Sequence, residues 1–466
     1  MTTAIRVKSP DVTSCRFAMR PSPEGATLDR CLFYALFAAL SLFQLQLAVP
    51  RLAALPIREV LYAYLYVRLF VSYRPLKSRN RVLLVFLACA AIIGVLTFLL
   101  YGPTLGYRGF ARFVNCALIA PLAAEMLTHE RDFRICLWIW ICIAFGGCVT
   151  LAIQFSGVAI PWLVLEHPST RGGLTRYATL LGESNIGAMA AALLLIAATE
   201  LARSWLLRCV IAAWAFVFLT LSLSKAGLMG VAIAGCMLLI RGRSVIKRLI
   251  FPSITIAGLV VAGGVALIYL GDAGIAQIER YVHVLERAFI GSEGEGVIAD
   301  LRFRMIEKPL HAMKLQRHES LPVWFAVVFG ATYGIAGSVA VSERRLVGLD
   351  NLPHNTFLEV YLVGGAVFLF VFLVLLVRTG QAIHRYAVNA DALAATVWPA
   401  YIVLCAYMVG YPVIYAPALG TWFWLIVGLS LNARVVGHKS GRSGHSVPRS
   451  MNSVQHRAIR IRRQSG

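Results

Sequence analysis

The stretch NTFLEVYLVGGAVFLFVFLVLLV at residues 355–377 carries one charged side chain and is long enough to cross a bilayer. The hydrocarbon core of a bilayer is ~30 Å thick, which a helix of about 20 apolar residues spans. Similar runs recur along the chain, of which 59% is hydrophobic and only 14% charged. A soluble chain would carry about 25% charged residues. Since a backbone in lipid must satisfy its own hydrogen bonds, these runs predict an all-α, polytopic transmembrane bundle.

About twelve membrane spans are predicted. Their approximate ranges are 31–49, 52–73, 82–101, 111–127, 135–156, 177–199, 206–223, 226–240, 249–270, 355–377, 394–414 and 416–433. The net charge of +22 collects in short segments between the runs, as expected where Lys and Arg stay on the cytoplasmic side. This distribution argues against nucleic-acid binding and places both termini in the cytoplasm.

The predicted organisation has two membrane parts and one large external, periplasmic loop. The parts are a basic cytoplasmic tail at 1–30, a bundle of about nine helices at 31–270, the loop at 271–353, C-terminal transmembrane helices at 355–433, and a basic, disordered cytoplasmic tail at 434–466.

The external loop is predicted to contain amphipathic helices. Apolar residues recur at helical spacing within 278–289, and residues 300–318 form a second candidate helix. The apolar segment 321–341 is long enough to span. Since a crossing there would turn the basic C-terminal tail outward, we expect this segment to pack against the membrane or to dip into it.

His354 lies where the external loop enters the membrane at the start of a helix. The free N–H groups and the dipole of a helix N-terminus favour anions and disfavour an imidazolium. A neutral imidazole beside an anion site suits proton removal from an attacking hydroxyl with a phosphate as leaving group. The alternative is an interfacial histidine or a helix cap.

Several basic residues at the external side are candidates for holding phosphate. Arg302 and Arg304 lie in the large loop, Arg171 lies in the external segment 157–176, and Lys225 lies at an outer turn. Arginine suits phosphate oxygens because its guanidinium donates two parallel hydrogen bonds. Solvated loop charges, and a snorkelling lysine at position 225, are the alternatives.

Charged residues inside the spans are costly in lipid and are therefore functional candidates. They are Glu183 in Gly182-Glu183-Ser184-Asn185, Glu359, and the pair Arg58 and Glu59, for which a bond between helices is an alternative. Glu183 is expected near the external end of its helix, where pairing with Arg171 or Arg176 is plausible.

No metal or cofactor is expected. The external side shows no Asp-x-Asp pair of the kind that binds a divalent cation on a diphosphate, and the chain has no GxxxxGK[ST] phosphate loop. The ten cysteines lie in the N-terminal tail or in apolar spans, which predicts no disulfide framework.

Three segments in chain order carry a family resemblance. They are Arg171 with Gly182-Glu183-Ser184-Asn185, the turn LSLSKAG at 221–227, and HNTFL at 354–358 followed by Gly365. Together with the layout of about twelve helices, they resemble the O-antigen ligase/O-antigen polymerase superfamily of bacterial membrane glycosyltransferases. The likeness covers about residues 165–380.

The resemblance implies a metal-independent, inverting glycosyltransferase of the bacterial inner membrane. Its donor would be an oligosaccharide linked to undecaprenyl diphosphate, and its acceptor a glycan or lipid A-core. His354 would be the catalytic base, and Lys225, Arg302, Arg304 and Arg171 would bind the diphosphate. Asn355, Glu183, Asn185 and Gly365 would have supporting roles.

The sequence departs from the family pattern at two positions. Lys225 stands where the family usually has Arg, which keeps the charge but loses the bidentate phosphate contact. Phe368 stands where ligases tend to have a small residue or Tyr, which favours polymerisation of O-antigen or exopolysaccharide over ligation. A flippase and a chain-length regulator are expected functional partners. The competing hypotheses are a lipid-linked-oligosaccharide flippase or transporter, for which related halves and a charged cavity are expected, and a structural membrane protein.

Overall fold

The computed structural model describes residues 23–42, 57–72, 81–127, 130–158, 179–182, 184–201, 204–222, 224–241, 355–388 and 392–431, with isolated positions between 160 and 175 and at 264 and 328. These residues are mostly helical, as predicted. The α-helices are α1 Pro23–Ser41, α2 Ile57–Ser72, α3 Arg81–Ala117, α4 Ile119–Met126, α5 Glu130–Phe155, α6 Ser184–Leu201, α7 Trp205–Ser222, α8 Lys225–Arg241, α9 Thr356–Val388, α10 Ala392–Met408 and α11 Pro417–Leu431. Two short strands, β1 Thr170–Arg171 and β2 Leu174–Thr175, precede α6, and a 3-10 helix at Val413–Tyr415 precedes α11.

Among the residues that the structure describes, three helical stretches are long and apolar enough to cross a membrane. They are Arg81–Leu99 in α3, Arg131–Gln154 in α5 and Thr356–His384 in α9. Large apolar side chains also lie on the outside of the bundle, for example Leu99, which is 76% exposed, and Phe370, which is 67% exposed. Such a surface is unusual in water and is suited to lipid. The helical fold thus has the character of a membrane protein.

Helix α3 contains a reversal of the chain. A straight helix rises 1.5 Å per residue, so Phe86 and Phe113 would be ~40 Å apart along one axis. Their ring centroids instead lie 5.8 Å apart, and a Cβ placed on Gly94 would meet the ring of Phe110. The two halves of α3 therefore pack antiparallel, as the sequence predicts for runs at 82–101 and 111–127.

One end of the bundle is joined by buried ion pairs. Asp29 of α1, which is fully buried, accepts hydrogen bonds from Arg68 of α2 at 3.0–3.2 Å. Asp132 of α5 accepts one from Tyr34 at 2.9 Å and lies 3.6 Å from Arg30. These contacts bring the start of α1, the end of α2 and the start of α5 together. We call this the ion-pair end.

An aromatic cluster forms the core between α3, α9 and α11. Phe86 and Phe368 stack with ring centroids 4.7 Å apart and an angle of 9° between the planes. Phe113 and Trp424 pack edge to face beside them at 5.9 Å. Phe368 is 1% exposed. Phe368, which the sequence analysis weighed between ligation and polymerisation, is therefore a packing residue of the core.

Helix α9 is broken at Gly365. This residue has φ 67° and ψ −163°, a conformation that is essentially confined to glycine. The residue before it is also constrained, since a Cβ on Gly364 would collide with Phe368 and stand 2.5 Å from the Ile93 side chain. The span predicted at 355–377 is thus two helical segments joined at a glycine.

The largest differences from the predicted spans are at α1, α6 and α9. Smaller ones are at α5, which begins at Glu130 and not at 135, and at α10, which ends at Met408 and not at 414. Helix α1 begins at Pro23, before the predicted span at 31–49, because Asp29 and Arg30 find partners within the bundle. Helix α6 begins at Ser184 and not at 177, since Gly182 adopts a φ of 119° that a helix does not allow. Helix α9 continues to Val388, through part of the segment predicted as a cytoplasmic loop at 378–393.

Several predictions fall outside the described residues. They are both tails at 1–22 and 432–466, the span at 249–270 except Gly264, and the external loop at 271–353 with its segment 321–341 except Val328.

Candidate functional site

Asn355 caps the N-terminus of α9 and ties it to the turn between α10 and α11. Its side-chain oxygen accepts the N–H of Leu358 at 3.0 Å, and its amide donates to the carbonyl oxygen of Val409 at 3.1 Å. An Asn at this position satisfies one of the free N–H groups of the first helical turn. The supporting role expected for Asn355 therefore has a geometric basis, in that it orients the helix tip that follows His354.

Thr356 adds a second link to the same turn, which the sequence does not reveal. Its hydroxyl donates to the carbonyl oxygen of Tyr411 at 2.7 Å and accepts the N–H of Val413 at 2.9 Å. Thr356 is fully buried. The sequence shows only a small polar residue in a membrane helix, while its two partners lie more than fifty positions away in the chain.

Glu359 lies one turn further along α9 and is 1% exposed. The sequence singled it out because a carboxylate inside a span is costly. The structure places it inside the bundle and not toward lipid. By contrast, Arg58 and Glu59 are neighbours in α2 with a nitrogen–oxygen distance of 3.9 Å, and Glu59 is half-exposed, so this contact lies within one helix.

The turn LSLSKAG separates α7 from α8, as predicted. The buried hydroxyl of Ser224 accepts the N–H of Gly227 at 3.4 Å and caps α8, so that Lys225 is the first residue of that helix. A cation at a helix N-terminus is disfavoured by the helix dipole unless an anion is bound there. An anion bound at this helix start would therefore offset the unfavourable placement of the Lys225 charge.

A tight turn at Thr179–Gly182 precedes α6. The backbone groups of these two residues bond to each other in both directions at 2.7 and 2.9 Å, and the Thr179 hydroxyl accepts the N–H of Leu181 at 3.1 Å. Asn185 follows as the second residue of α6 and is partly buried. Gly182 has a positive φ, which glycine adopts more readily than other residues. The glycine in the sequence is therefore itself an indication of this turn.

Arg171 lies at the end of β1, in a hairpin that the sequence analysis missed. The register pairs Thr170 with Thr175 and Arg171 with Leu174, which leaves two residues at the tip. These two are Gly172 and Gly173 in the sequence. Two consecutive glycines between short extended segments are a known signal for a two-residue hairpin.

The segments around Asn185 and Lys225 lie side by side. A Cβ placed on Gly227 would stand 2.5 Å from the Cβ of Ala188, so the first turns of α6 and α8 are in close contact. Gly187 likewise faces the ring of Phe218. The absence of a side chain at Gly227 allows α8 to approach α6, and the absence of one at Gly187 allows α6 to approach α7.

The start of α9, where Asn355 lies, is connected to the Asn185 and Lys225 segments through α10. Tyr407 near the end of α10 packs directly against Gly230 of α8. Two residues later, the Val409 carbonyl binds Asn355. The N-termini of α6, α8 and α9 are therefore at one end of the bundle, which we call the motif end. Three helix N-termini at one end create a region that favours anions.

Helix α5 runs from the ion-pair end to the motif end. Asp132 near its start belongs to the ion-pair end. Fifteen residues later, ~22 Å along a helix, Gly147 lies against the turn before α6, with a Cβ on it 3.8 Å from the Leu180 nitrogen. The two ends are thus on opposite sides of the bundle.

Four of the predicted site residues lie outside the described residues. They are His354, Arg302, Arg304 and Glu183. His354 directly precedes the described Asn355, and Glu183 lies between the described Gly182 and Ser184.

A scan against protein-family models finds no match to this chain, and neither does a search of curated proteins.

Proposed function

We propose that the chain is a bacterial inner-membrane glycosyltransferase that uses a glycan linked to undecaprenyl diphosphate as its donor and extends a surface polysaccharide. One observation carries the proposal. The three segments that resemble the O-antigen ligase/polymerase motifs are distant in sequence, yet Asn185, Lys225 and Asn355 open helices whose N-termini meet at the motif end. A shared end is what a single site built from three motifs requires.

The opposite character of the two ends supports an external position for this site. The ion-pair end contains the start of α1, which lies within the basic segment 1–30, and the end of α2, which precedes the basic segment 74–81. Basic segments stay in the cytoplasm by the positive-inside rule. The motif end, on the other side of the bundle, then faces the periplasm, in agreement with a topology of about twelve spans and two cytoplasmic termini.

The proposed reaction is an inverting displacement without a metal. His354 takes the proton of an acceptor sugar hydroxyl, and that oxygen forms a bond to the anomeric carbon of the donor. The bond from this carbon to the diphosphate oxygen breaks, and the lipid diphosphate leaves with the electron pair. Lys225, Arg302, Arg304 and Arg171 stabilise its negative charge, aided by the helix N-termini.

The donor is already activated by its diphosphate bond, so no nucleotide sugar or other cofactor enters the scheme. The acceptor is a growing glycan in a polymerase and lipid A-core in a ligase. Phe368 does not discriminate between them by contact with an acceptor, since its ring is buried against Phe86. We favour polymerisation on the sequence difference alone.

The test is reconstitution of the purified chain with lipid-linked glycan extracted from host cells that lack it. A polymerase converts the extract to a ladder of longer glycans on the lipid and releases undecaprenyl diphosphate. A ligase forms product only when lipid A-core is added. Transbilayer movement of the donor without any new glycosidic bond would show a transporter and contradict the proposal.

A further inference from the structure

We propose that Thr356 is a positioning residue for the transfer reaction, which holds the tip of α9 against the turn between α10 and α11. This inference rests on the proposed function, and it adds Thr356 and the turn between α10 and α11 to the same site. The turn comprises residues 409–416, from the end of α10 to the start of α11.

The Thr356 hydroxyl serves as both donor and acceptor for this turn. It donates to the Tyr411 carbonyl at 2.7 Å and accepts from Val413, whose N–H also points to the Tyr411 carbonyl at 2.9 Å. The three groups form a closed set of hydrogen bonds in a fully buried position. Backbone groups of a non-helical turn need such partners in a low-dielectric interior, where an unsatisfied group is costly.

Asn355, the residue before Thr356, also binds the turn between α10 and α11. Its amide binds Val409, so two consecutive residues at the helix tip make three side-chain bonds with one turn. Val409 is 57% exposed, while Tyr411 and Val413 are buried. The turn thus has a buried anchor, formed with Thr356, and an exposed rim beside the helix tip.

The position of the helix tip matters for the proposed chemistry. Thr356 lies two residues after His354 and starts the helix. A catalytic group that shifts by ~1 Å can lose about a hundredfold in rate. We therefore expect loss of the Thr356 hydroxyl to slow the chemical step with little effect on the binding of the donor.

A purely structural threonine would behave differently, and the same helix supplies the comparison. Thr379 is also fully buried, and its hydroxyl makes no hydrogen bond within the described part of the chain. It lies 23 positions further along α9, toward the other end of the helix. Thr379→Val also removes a threonine hydroxyl from a fully buried position, but it leaves the turn between α10 and α11 unchanged.

The experiment measures kcat and the KM for the lipid-linked glycan extract described above, with rates normalised to folded protein in the monodisperse chromatographic peak. Thr356→Val is expected to lower kcat by about ten- to a hundredfold with little change in KM. Thr356→Ser keeps a hydroxyl that can make both bonds and is expected to restore kcat to within about threefold of the unaltered protein. Thr379→Val is expected to leave both constants unchanged.

The outcomes separate this inference from the proposed function. If the unaltered protein transfers glycan and Thr356→Val keeps its kcat, the positioning role is wrong while the function stands. An equal loss in the serine and valine variants would also overturn it, since the hydroxyl would then be irrelevant. Should Thr356→Val not fold, Thr356→Ser and Thr356→Ala are compared in the same assay. An unaltered protein with no transfer overturns both proposals.

Discussion

Gly227 and Ala188 are in direct contact between α8 and α6, with so little space that a Cβ on Gly227 would stand 2.5 Å from the Cβ of Ala188. This contact holds the Lys225 segment beside the Asn185 segment. It shows that one of the residues in the family-like turn is there for packing: the glycine permits the approach that places two helix N-termini together.

Gly227→Ala is therefore expected to separate α6 and α8 at the motif end. Overpacking of this kind costs about 1–3 kcal/mol, and the displaced N-termini should lower glycan transfer as well. Gly147→Ala is the control, because a Cβ there would have its nearest neighbour at 3.5 Å, an ordinary contact. Thermal unfolding in detergent and the transfer assay measure the two effects. Equal stability of the two variants would contradict the packing argument.

Gly365→Ala tests the break in α9. Alanine cannot adopt φ 67° with ψ −163° without strain of about 1–3 kcal/mol, so the variant should either melt at a lower temperature or straighten the helix. Gly380 lies in the same helix without a positive φ, and its added Cβ would have its nearest contact, the Tyr401 ring, at 3.4 Å. Gly380→Ala should therefore melt near the unaltered protein. A wild-type melting temperature for Gly365→Ala would show that the break is dispensable.

The periodicity and length of the apolar runs were enough to predict the helices, but not how the helices pack against one another. The apolar runs predicted α7, α8 and α11 to within a few residues, because lipid selects length and polarity directly, while the run at 394–414 extended six residues past the end of α10 at Met408. The break at Gly365 was not predicted, since a glycine in an apolar helix is common and a single sequence does not show the packing around it, such as that of Phe368 and Ile93 against the neighbouring Gly364.

The same limit applies to the candidate site. Asn355 was named from the family-like segment HNTFL and Lys225 as a basic residue at an outer turn, and both lie at helix starts. Thr356 and the turn at 409–416 were missed, because their hydrogen bonds join positions more than fifty residues apart. No local pattern encodes such a pairing in a single sequence.

The pair Asp29 and Arg68 was also missed, although Arg68 lies within a predicted span. Arg68→Ala should destabilise the protein by about 3–5 kcal/mol, since it removes the guanidinium from a fully buried carboxylate. Arg68→Lys keeps the charge and loses the two-pronged geometry, so an intermediate effect is expected. Glu59→Gln, at a half-exposed side chain with a 3.9 Å contact, is the control and should be nearly neutral. Unfolding curves for the three variants provide the comparison. Identical curves for Arg68→Ala and Glu59→Gln would contradict the assignment.

The orientation of the bundle is open to a labelling experiment in whole cells. Val409 is exposed at the motif end, and Cys31 is an exposed native cysteine next to Arg30 at the ion-pair end. A thiol reagent that cannot cross membranes should modify Val409→Cys in intact cells, and Cys31 only after permeabilisation. Mass spectrometry of the two peptides gives the ratio. The reverse pattern would place the motif end in the cytoplasm, where an external polymer could not be extended.

The most direct test is glycan transfer by His354→Ala compared with His384→Ala. His384 is exposed in α9 near Trp398, at the end remote from Asn355, and so controls for the loss of a histidine as such. Both variants should be present in the membrane at the level of the unaltered protein. The account predicts that His354→Ala loses at least about a hundredfold in transfer rate, as expected for removal of a general base, while His384→Ala retains it. Transfer by His354→Ala at the unaltered rate would contradict the central claim.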